Sequence, residues 1–343
     1  MKNGKNSKPT LVSLFSGCGG MDVGFEKAGF KRIWANDFDK DAQRVFEHNL
    51  GPVDARDIRE VPTEDIPQCD ILTAGFPCQP FSNAGNRKGV YDSRGTLYLE
   101  CLRIIKEKKP TVIVFENVKG LLSTKHANGQ KLIDVIADDL KSFGYNVNYQ
   151  VLNAADYSTP QKRERLILVG IVSSLNKTFV FPEKQSRKGL ELGNILTLNE
   201  SIPNQKDWPF SPQAMRLIKF IPEGGSWKNI PYNELPDRMK KIRDNMARYH
   251  SPNFYRRFAR TEIAGTITAS AQPENCGIIH PVEDRRFNIR EIARIQTFPD
   301  NFVFFDNTLS DIVAMYKVIG NAVPCNLAYA VAKEIMKQVF KND

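Results

Sequence analysis

The chain has 343 residues, 41% of them hydrophobic and 25% charged, a composition that marks a soluble globular protein and a length that suits two domains. Its net charge of +9 suggests a polyanionic partner, with a merely solubilising surface as the plain alternative. Met1–Thr10 is polar and lysine-bearing, and no run of about 18 apolar residues follows, so neither a signal peptide nor a membrane span is expected.

The first half alternates strand-like and helix-like stretches at the pitch of a doubly wound sheet. Thr10–Ser16 is an apolar run ending in Gly17-Cys18-Gly19-Gly20, and Met21–Ala28 then reads as helix. Arg32–Asp37 is a second strand, followed by a helix over Lys40–Asn49. Further strands are predicted at Asp70–Phe76, Thr111–Glu116, Asn146–Asn153 and Leu166–Ile171, with crossover helices at Thr96–Lys108 and Lys131–Phe143. Parallel strands need such crossovers, so the expected class is α/β: a Rossmann-like, mostly parallel sheet buried on both faces. After about Val172, proline, asparagine and charged residues break the pattern. A second, smaller and irregular domain is expected over residues 181–305, with 1–180 and 306–343 forming the first. Helices return near Ile289–Gln296 and at Ala322–Gln338, the last packing back on the first domain.

A glycine-rich turn after the first strand marks a nucleotide-like ligand. The dinucleotide fingerprint fails, because Asp22 stands where its third glycine should be, and no phosphate-loop Gly-Lys-Ser/Thr occurs. An adenosine ligand without a pyrophosphate accounts for both. Asp37, 20 residues after Gly17, can accept bonds from the ribose hydroxyls; Phe38 can stack on adenine, and Asp57 can bond its amino group. Any one strand-end carboxylate alone reads as a cap or a loop surface. Carboxylates and a glycine turn at three consecutive strand ends favour a ligand site.

Six cysteines (Cys18, Cys69, Cys78, Cys101, Cys276, Cys325) include no C-x-x-C pair, which argues against a zinc centre or a disulfide framework and fits a reducing cytoplasm. No metal site is expected. Cys69 and Cys101 read as small core residues. Cys78 differs, since Pro77 and Pro80 stiffen a turn that presents it at the sheet edge. Glu116-Asn117-Val118 ends the next strand, and Gln161-Lys162-Arg163-Glu164-Arg165 enters a later one. A thiolate, a carboxylate and guanidinium groups beside an adenosine ligand suit methyl transfer to carbon 5 of a cytosine that has been flipped from its stack.

Taken in order, these segments resemble the DNA cytosine-5 methyltransferases of bacterial restriction–modification systems, over nearly the whole chain. Leu14–Gly20 is similar to the family's cofactor loop. The resemblance implies S-adenosyl-L-methionine as cofactor, held by Phe15, Gly17, Gly19, Gly20, Asp37, Phe38, Asp57, Ile58, Gly75, Pro77, Leu97, Asn321 and Ala322. Gly75–Ser82 resembles the nucleophile loop, making Cys78 catalytic, and Asp92-Ser93-Arg94-Gly95-Thr96-Leu97 continues it. Glu116 is implied on the cytosine edge, with Arg163 and Arg165 near the base and its phosphate. Arg290–Asp300 and Tyr316–Pro324 resemble the last two blocks, the latter closing over the methionine moiety. Asp37-Phe38 departs from the Glu-led pair of many relatives.

Residues 181–284 correspond to the target-recognition region. Between Arg238 and Arg260 stand eight basic residues against one acid, Asp244, interleaved with Tyr249, Phe254, Tyr255 and Phe258. Arg256 and its neighbours are expected to contact phosphates of double-stranded DNA, although a solvated basic helix has the same composition. Gly265-Thr266-Ile267-Thr268 is similar to a Thr-centred segment of the relatives. The resemblance implies a cytoplasmic enzyme that works as a monomer, its endonuclease, where one exists, acting on the same site without contact. The rivals are an RNA cytosine-5 methyltransferase of the same fold and a non-catalytic DNA-binding module.

Overall fold

The computed structural model describes residues 7–76, 97–126, 129–197, 201–246, 254–274 and 277–341. Residues 77–96, Pro77 and Cys78 among them, with Arg248, Tyr249 and Cys276, lie outside the described residues.

In chain order the strands are β1 (Thr10–Leu14), β2 (Lys31–Asn36), β3 (Ile71–Ala74), β4 (Val112–Val118), β5 (Tyr145–Asn153) and β6 (Glu164–Val172). The helices are α1 (Gly20–Lys27), α2 (Lys40–Leu50), α3 (Leu97–Lys108), α4 (Leu132–Ser142), α5 (Leu192–Ile195), α6 (Pro212–Ile218), α7 (Asp237–Asp244), α8 (Ile289–Ile295), α9 (Leu309–Asn321) and α10 (Cys325–Ile335). Two compact units result. The first comprises residues 1–153, 164–184 and 325–343, and the second 154–163 and 185–324.

The first unit is built on one six-stranded sheet in the order β2-β1-β3-β4-β6-β5. β1 pairs in parallel with β2 and β3, and β3 with β4, while β6 runs antiparallel to both β4 and β5. The expected Rossmann-like α/β class is therefore observed, with β6 alone reversed. Strands β1, β3 and β4 are mostly apolar because both faces are covered; Leu11, Ile71, Leu72, Val112 and Ile113 are fully buried. The chain leaves β1 through α1 to β2 on one side and returns to set β3 on the other. That switch point opens a crevice at the carboxyl ends of the strands.

Helix α10 lies directly against α1. A Cβ at Gly24 would sit 2.5 Å from the Ala328 Cβ and 2.6 Å from the Tyr329 nitrogen, so only glycine permits the approach. The expected terminal helix begins at Cys325 rather than at Ala322, and its last turn widens into a π-turn over Met336–Phe340. In the second unit the irregular texture conceals short helices and one long one, α9. A capping box between Thr308 and Asp311 starts α9, and Ile312, Met315, Tyr316 and Ile319 line its buried face. Arg290 on α8 is wholly buried, and its guanidinium donates to the carbonyls of Pro203, Pro299 and Phe302.

Asp22 in the first turn of α1 is buried and accepts from Ser13 Oγ at 3.1 Å, with Arg32 Nε 3.7 Å away. Burial pushes its carboxyl up from the ordinary value to about 7, against the pull of Arg32. The folded chain thus keeps a proton here that the unfolded chain loses near 3.8. Stability should fall as pH rises from about 4 to about 7 and carry the full penalty above that. Asp22→Asn removes this slope: urea unfolding should show the variant gaining on the wild type as pH rises through this window. A constant difference from pH 4 to 8 would refute the assignment.

Candidate functional site

The carboxyl ends of β1, β3 and β4 lie side by side, since Leu14 pairs with Ala74 and Ala74 with Phe115. The next residue of each strand therefore meets the others. Phe15 turns away from β1 with φ +52°, a left-handed conformation that costs energy in a non-glycine residue. A Cβ on Gly75 would lie 3.5 Å from Glu116 Oε2 and 3.8 Å from the Phe15 carbonyl oxygen. Arg165 completes the group. Its Nε is 2.9 Å from Glu116 Oε1, and the two side chains are 13% and 11% exposed. Burial holds the Arg165 guanidinium below its ordinary pKa, and the Glu116 carboxylate opposes that shift.

Asn117 contributes something the sequence did not reveal. Its Nδ2 donates to the Phe76 carbonyl at 3.0 Å, and the Phe76 ring packs edge-on against Phe115 at 5.3 Å. The chain is thus anchored two residues before Cys78. An amide after a strand-end carboxylate was the available signal, though nothing in it named the acceptor. The described cysteines are of another kind. Burial pushes the Cys69 thiol up to about 12 and those of Cys18, Cys101 and Cys325 well above the usual range, so they stay protonated core residues.

The glycine turn is organised by Asp37. Its Oδ2 accepts from Gly17 N at 2.7 Å and its Oδ1 from Asp39 N at 2.8 Å, which fixes the turn to the end of β2. Gly17 and Gly19 both have positive φ. Among the described residues a Cβ on Gly17 would meet nothing within 4 Å, whereas Gly19 is packed under Leu50 and Phe46. Gly20, buried, opens α1. Phe38 is 60% exposed beside Asp37. Asp57 caps the turn Ile58–Glu60, and the Arg59 guanidinium that bonds it at 2.9 Å holds its carboxyl below the usual range. Ile58 and Leu97 are buried.

Arg163, Asn321 and Ala322 belong to the second unit. Arg163, expected near the base and its phosphate, is 1% exposed, and its two terminal nitrogens donate to the carbonyls of Ile267 and Gly320 at 2.9 and 2.8 Å. Two residues away in sequence, Arg165 faces a carboxylate. Asn321 and Ala322 follow directly at the end of α9.

The basic stretch divides in the same way. Arg256 pairs with both oxygens of Glu262 at 2.6 and 2.8 Å, donates to the carbonyls of Gly224, Gly225 and Arg257, and lies over the Phe258 ring. Arg257 is buried on the His280, Glu283 and Ile218 carbonyls, Arg243 bonds those of Trp227, Lys228 and Ile230, and Arg260 pairs with Glu223. The expectation that Arg256 serves phosphate therefore meets a guanidinium already committed within the fold. Arg238 and Lys241 on α7 are exposed and make no side-chain bond among the described residues.

The α/β sheet with its strand-end crevice is that of the methyltransferase fold: S. pombe Dnmt2 methyltransferase superposes with a TM-score of 0.63 at 19% identity, over 97% of this chain and all of that one. The model for C-5 cytosine-specific DNA methylases matches residues 10–337, and the chain belongs to that family. Type II methyltransferase M.NgoFVII of Neisseria gonorrhoeae is 38% identical over 97% of this chain and 88% of its own length. M.FnuDI of Fusobacterium nucleatum is 36% identical over 95% and 93%. The protein is thus a DNA cytosine-5 methyltransferase. No helix among the described residues is long and apolar enough to cross a membrane.

Because Arg256 is committed within the fold, Arg256→Ala should lower unfolding stability by about 1–3 kcal/mol, by leaving carbonyls without a donor. The salt dependence of DNA binding should keep its slope. Fluorescence anisotropy over a salt series checks this, and a slope shallower by about one would restore Arg256 as a phosphate contact.

Proposed function

We propose that the chain transfers a methyl group from S-adenosyl-L-methionine to C5 of a cytosine flipped out of a specific short duplex sequence, through a covalent bond between Cys78 and C6. The observation that carries the reading is the buried Glu116–Arg165 pair at the edge where the chain enters Pro77-Cys78. The residues present suit the cofactor. A Cβ on Gly17 would meet nothing within 4 Å among the described residues, Asp37 stands at the strand end for the ribose, and Phe38 offers an exposed ring for adenine. Asp57, Ile58 and Phe15 would flank the adenine, with Gly19, Gly20, Gly75, Pro77, Leu97, Asn321 and Ala322 around the remainder. When bound, the cofactor supplies an electrophilic methyl on a sulfonium.

The target atoms are out of reach within a stacked duplex, so the base leaves the helix. The Cys78 thiolate adds its electron pair to C6, and the C5–C6 π electrons become available at C5. Glu116, protonated in this step, donates to N3 and draws charge from the ring, while Arg165 takes the O2 edge. The two side chains must part as the base enters, each exchanging its partner for a ring atom. After C5 has taken the methyl, loss of the C5 proton to a base expels Cys78 and restores the ring. Arg163, buried on the Ile267 and Gly320 carbonyls, supports this through the main chain that it holds. Residues 181–284 read the duplex, with Arg238 and Lys241 available for phosphate. The enzyme acts as a monomer and serves as the modification partner in restriction–modification, independently of any endonuclease.

Cys78→Ala should abolish methyl transfer while leaving binding of S-adenosylhomocysteine and duplex within a few-fold of wild type. A duplex bearing 5-fluorocytosine at the target should trap wild type covalently after methyl transfer, because the fluorine at C5 cannot leave as a proton does. Turnover by the alanine variant, or methyl transfer with no adduct, would overturn the mechanism. Equal methylation of tRNA and duplex would favour the RNA reading. Replacing residues 181–284 with the matching segment of a relative of different specificity should move the methylated site, read by bisulfite sequencing, and leave the chemistry intact. An unmoved site would remove this segment as the reader.

A further inference from the structure

Three buried polar side chains of the second unit tie together four stretches that are distant in sequence. Gln161 is wholly buried; its Oε1 accepts from the Ile267 amide at 2.8 Å, and its Nε2 donates to Gln296 Oε1 at 3.0 Å. Gln296, equally buried, donates in turn to the Ile319 carbonyl at 2.7 Å. Arg163 spans the same gap, one arm on the Ile267 carbonyl and the other on that of Gly320. Both polar groups of the Ile267 backbone are therefore held, the amide by Gln161 and the carbonyl by Arg163. The main chain adds to this, since Lys162 N donates to Ala264 O at 2.8 Å and Ala264 N to Pro160 O at 3.2 Å. Gly320 makes the approach possible: a Cβ there would fall 2.3 Å from the Thr268 carbonyl oxygen.

Apolar side chains would fill this interior at a lower desolvation cost, but they would not select one register. Directional bonds from buried donors do, because each displaced partner leaves a polar group unsatisfied. The result is a rigid link from Ile267 to Gly320, and Asn321-Ala322 begins at the next residue.

We propose that Gln161, Arg163 and Gln296 are positioning residues that couple cofactor binding to DNA binding. Ordering of Asn321-Ala322 by the cofactor is passed through the Gly320 carbonyl and Arg163 to the Thr266–Thr268 segment of the recognition region, and ordering by DNA is passed back. The inference rests on the function proposed above, which sets Asn321-Ala322 at the cofactor and residues 181–284 on DNA. All three are buried and bonded to partners within the second unit, so on this reading each acts through those partners and not on a ligand. By linkage, S-adenosylhomocysteine tightens DNA binding by the same factor by which DNA tightens it, on the order of 5–150-fold.

The test needs no variant at first. Hydrogen exchange of the wild-type enzyme, with and without S-adenosylhomocysteine and in the absence of DNA, should show slower exchange over residues 264–268 when the analogue is bound. Arg163→Lys keeps the charge but cannot bond two carbonyls in a fixed fork, and Gln296→Met keeps the volume without the amide. In both, affinity for each ligand alone should stay within about threefold, while the coupling factor falls towards one and kcat drops about tenfold or more with little change in KM. Analogue binding without altered exchange at 264–268 would overturn the proposal. So would variants that melt at lower temperature yet keep coupling and kcat, since the bonds would then serve only stability. A wild type that neither binds S-adenosylhomocysteine nor methylates any duplex would instead refute the function on which the proposal rests.

Discussion

A carboxylate and a guanidinium withdrawn together from water each carry a desolvation cost of several kcal/mol, and only a close partner offsets it. Glu116 and Arg165 are in that position, and much of the first unit follows from bringing them to one point. Glu116 stands near the carboxyl end of β4. Arg165 stands at the start of β6, and it reaches the same edge because β6 runs backwards, with Val118 opposite Arg165 and Asn117 opposite Leu166. A parallel β6 would enter the sheet at the far edge and leave the carboxylate buried alone. The single reversed strand is thus what lets an arginine join the strand-end crevice.

The sheet was legible because buried parallel strands are largely apolar runs bounded by polar turns, and β1 to β6 lie within a few residues of their predicted spans. The direction of β6 was not legible, since an apolar run reads the same either way and direction is decided by the neighbour it pairs with. Helix α9 was overlooked despite its Thr308–Asp311 cap and the spacing of Ile312, Met315, Tyr316 and Ile319. Gly320 and Asn321, both weak helix formers, end it. The short helices α5, α6 and α7 sit among prolines and charges and are held by tertiary contacts such as Arg243 on the Trp227–Ile230 carbonyls, which no local pattern encodes.

At the site, residue types were legible and their directions were not. Asp37, Glu116 and Arg165 occupy strand ends because the order of motifs put them there. Arg163 and Arg165 look alike in sequence, yet one faces main-chain carbonyls and the other a carboxylate. Gln161 and Gln296 are residue types usually found at the surface, so their burial could be known only from the packed structure. The basic stretch carried the same ambiguity, because composition counts charges and cannot see Glu262, Glu223 or the carbonyls that take them up.

The engagement of Arg243, Arg256 and Arg257 also divides the second unit by its tolerance of change. Each of the three makes several bonds at once, so a substitution there disturbs more than one loop, and drift at these positions is closed. Arg238 and Lys241 make no side-chain bond among the described residues, so they can vary at little structural cost there. Under the function proposed above, a lineage can then alter what this region meets while the frame beneath remains fixed. On that reading, the strength of contact to the duplex would change by exchange of exposed side chains, without a new fold having to be found each time.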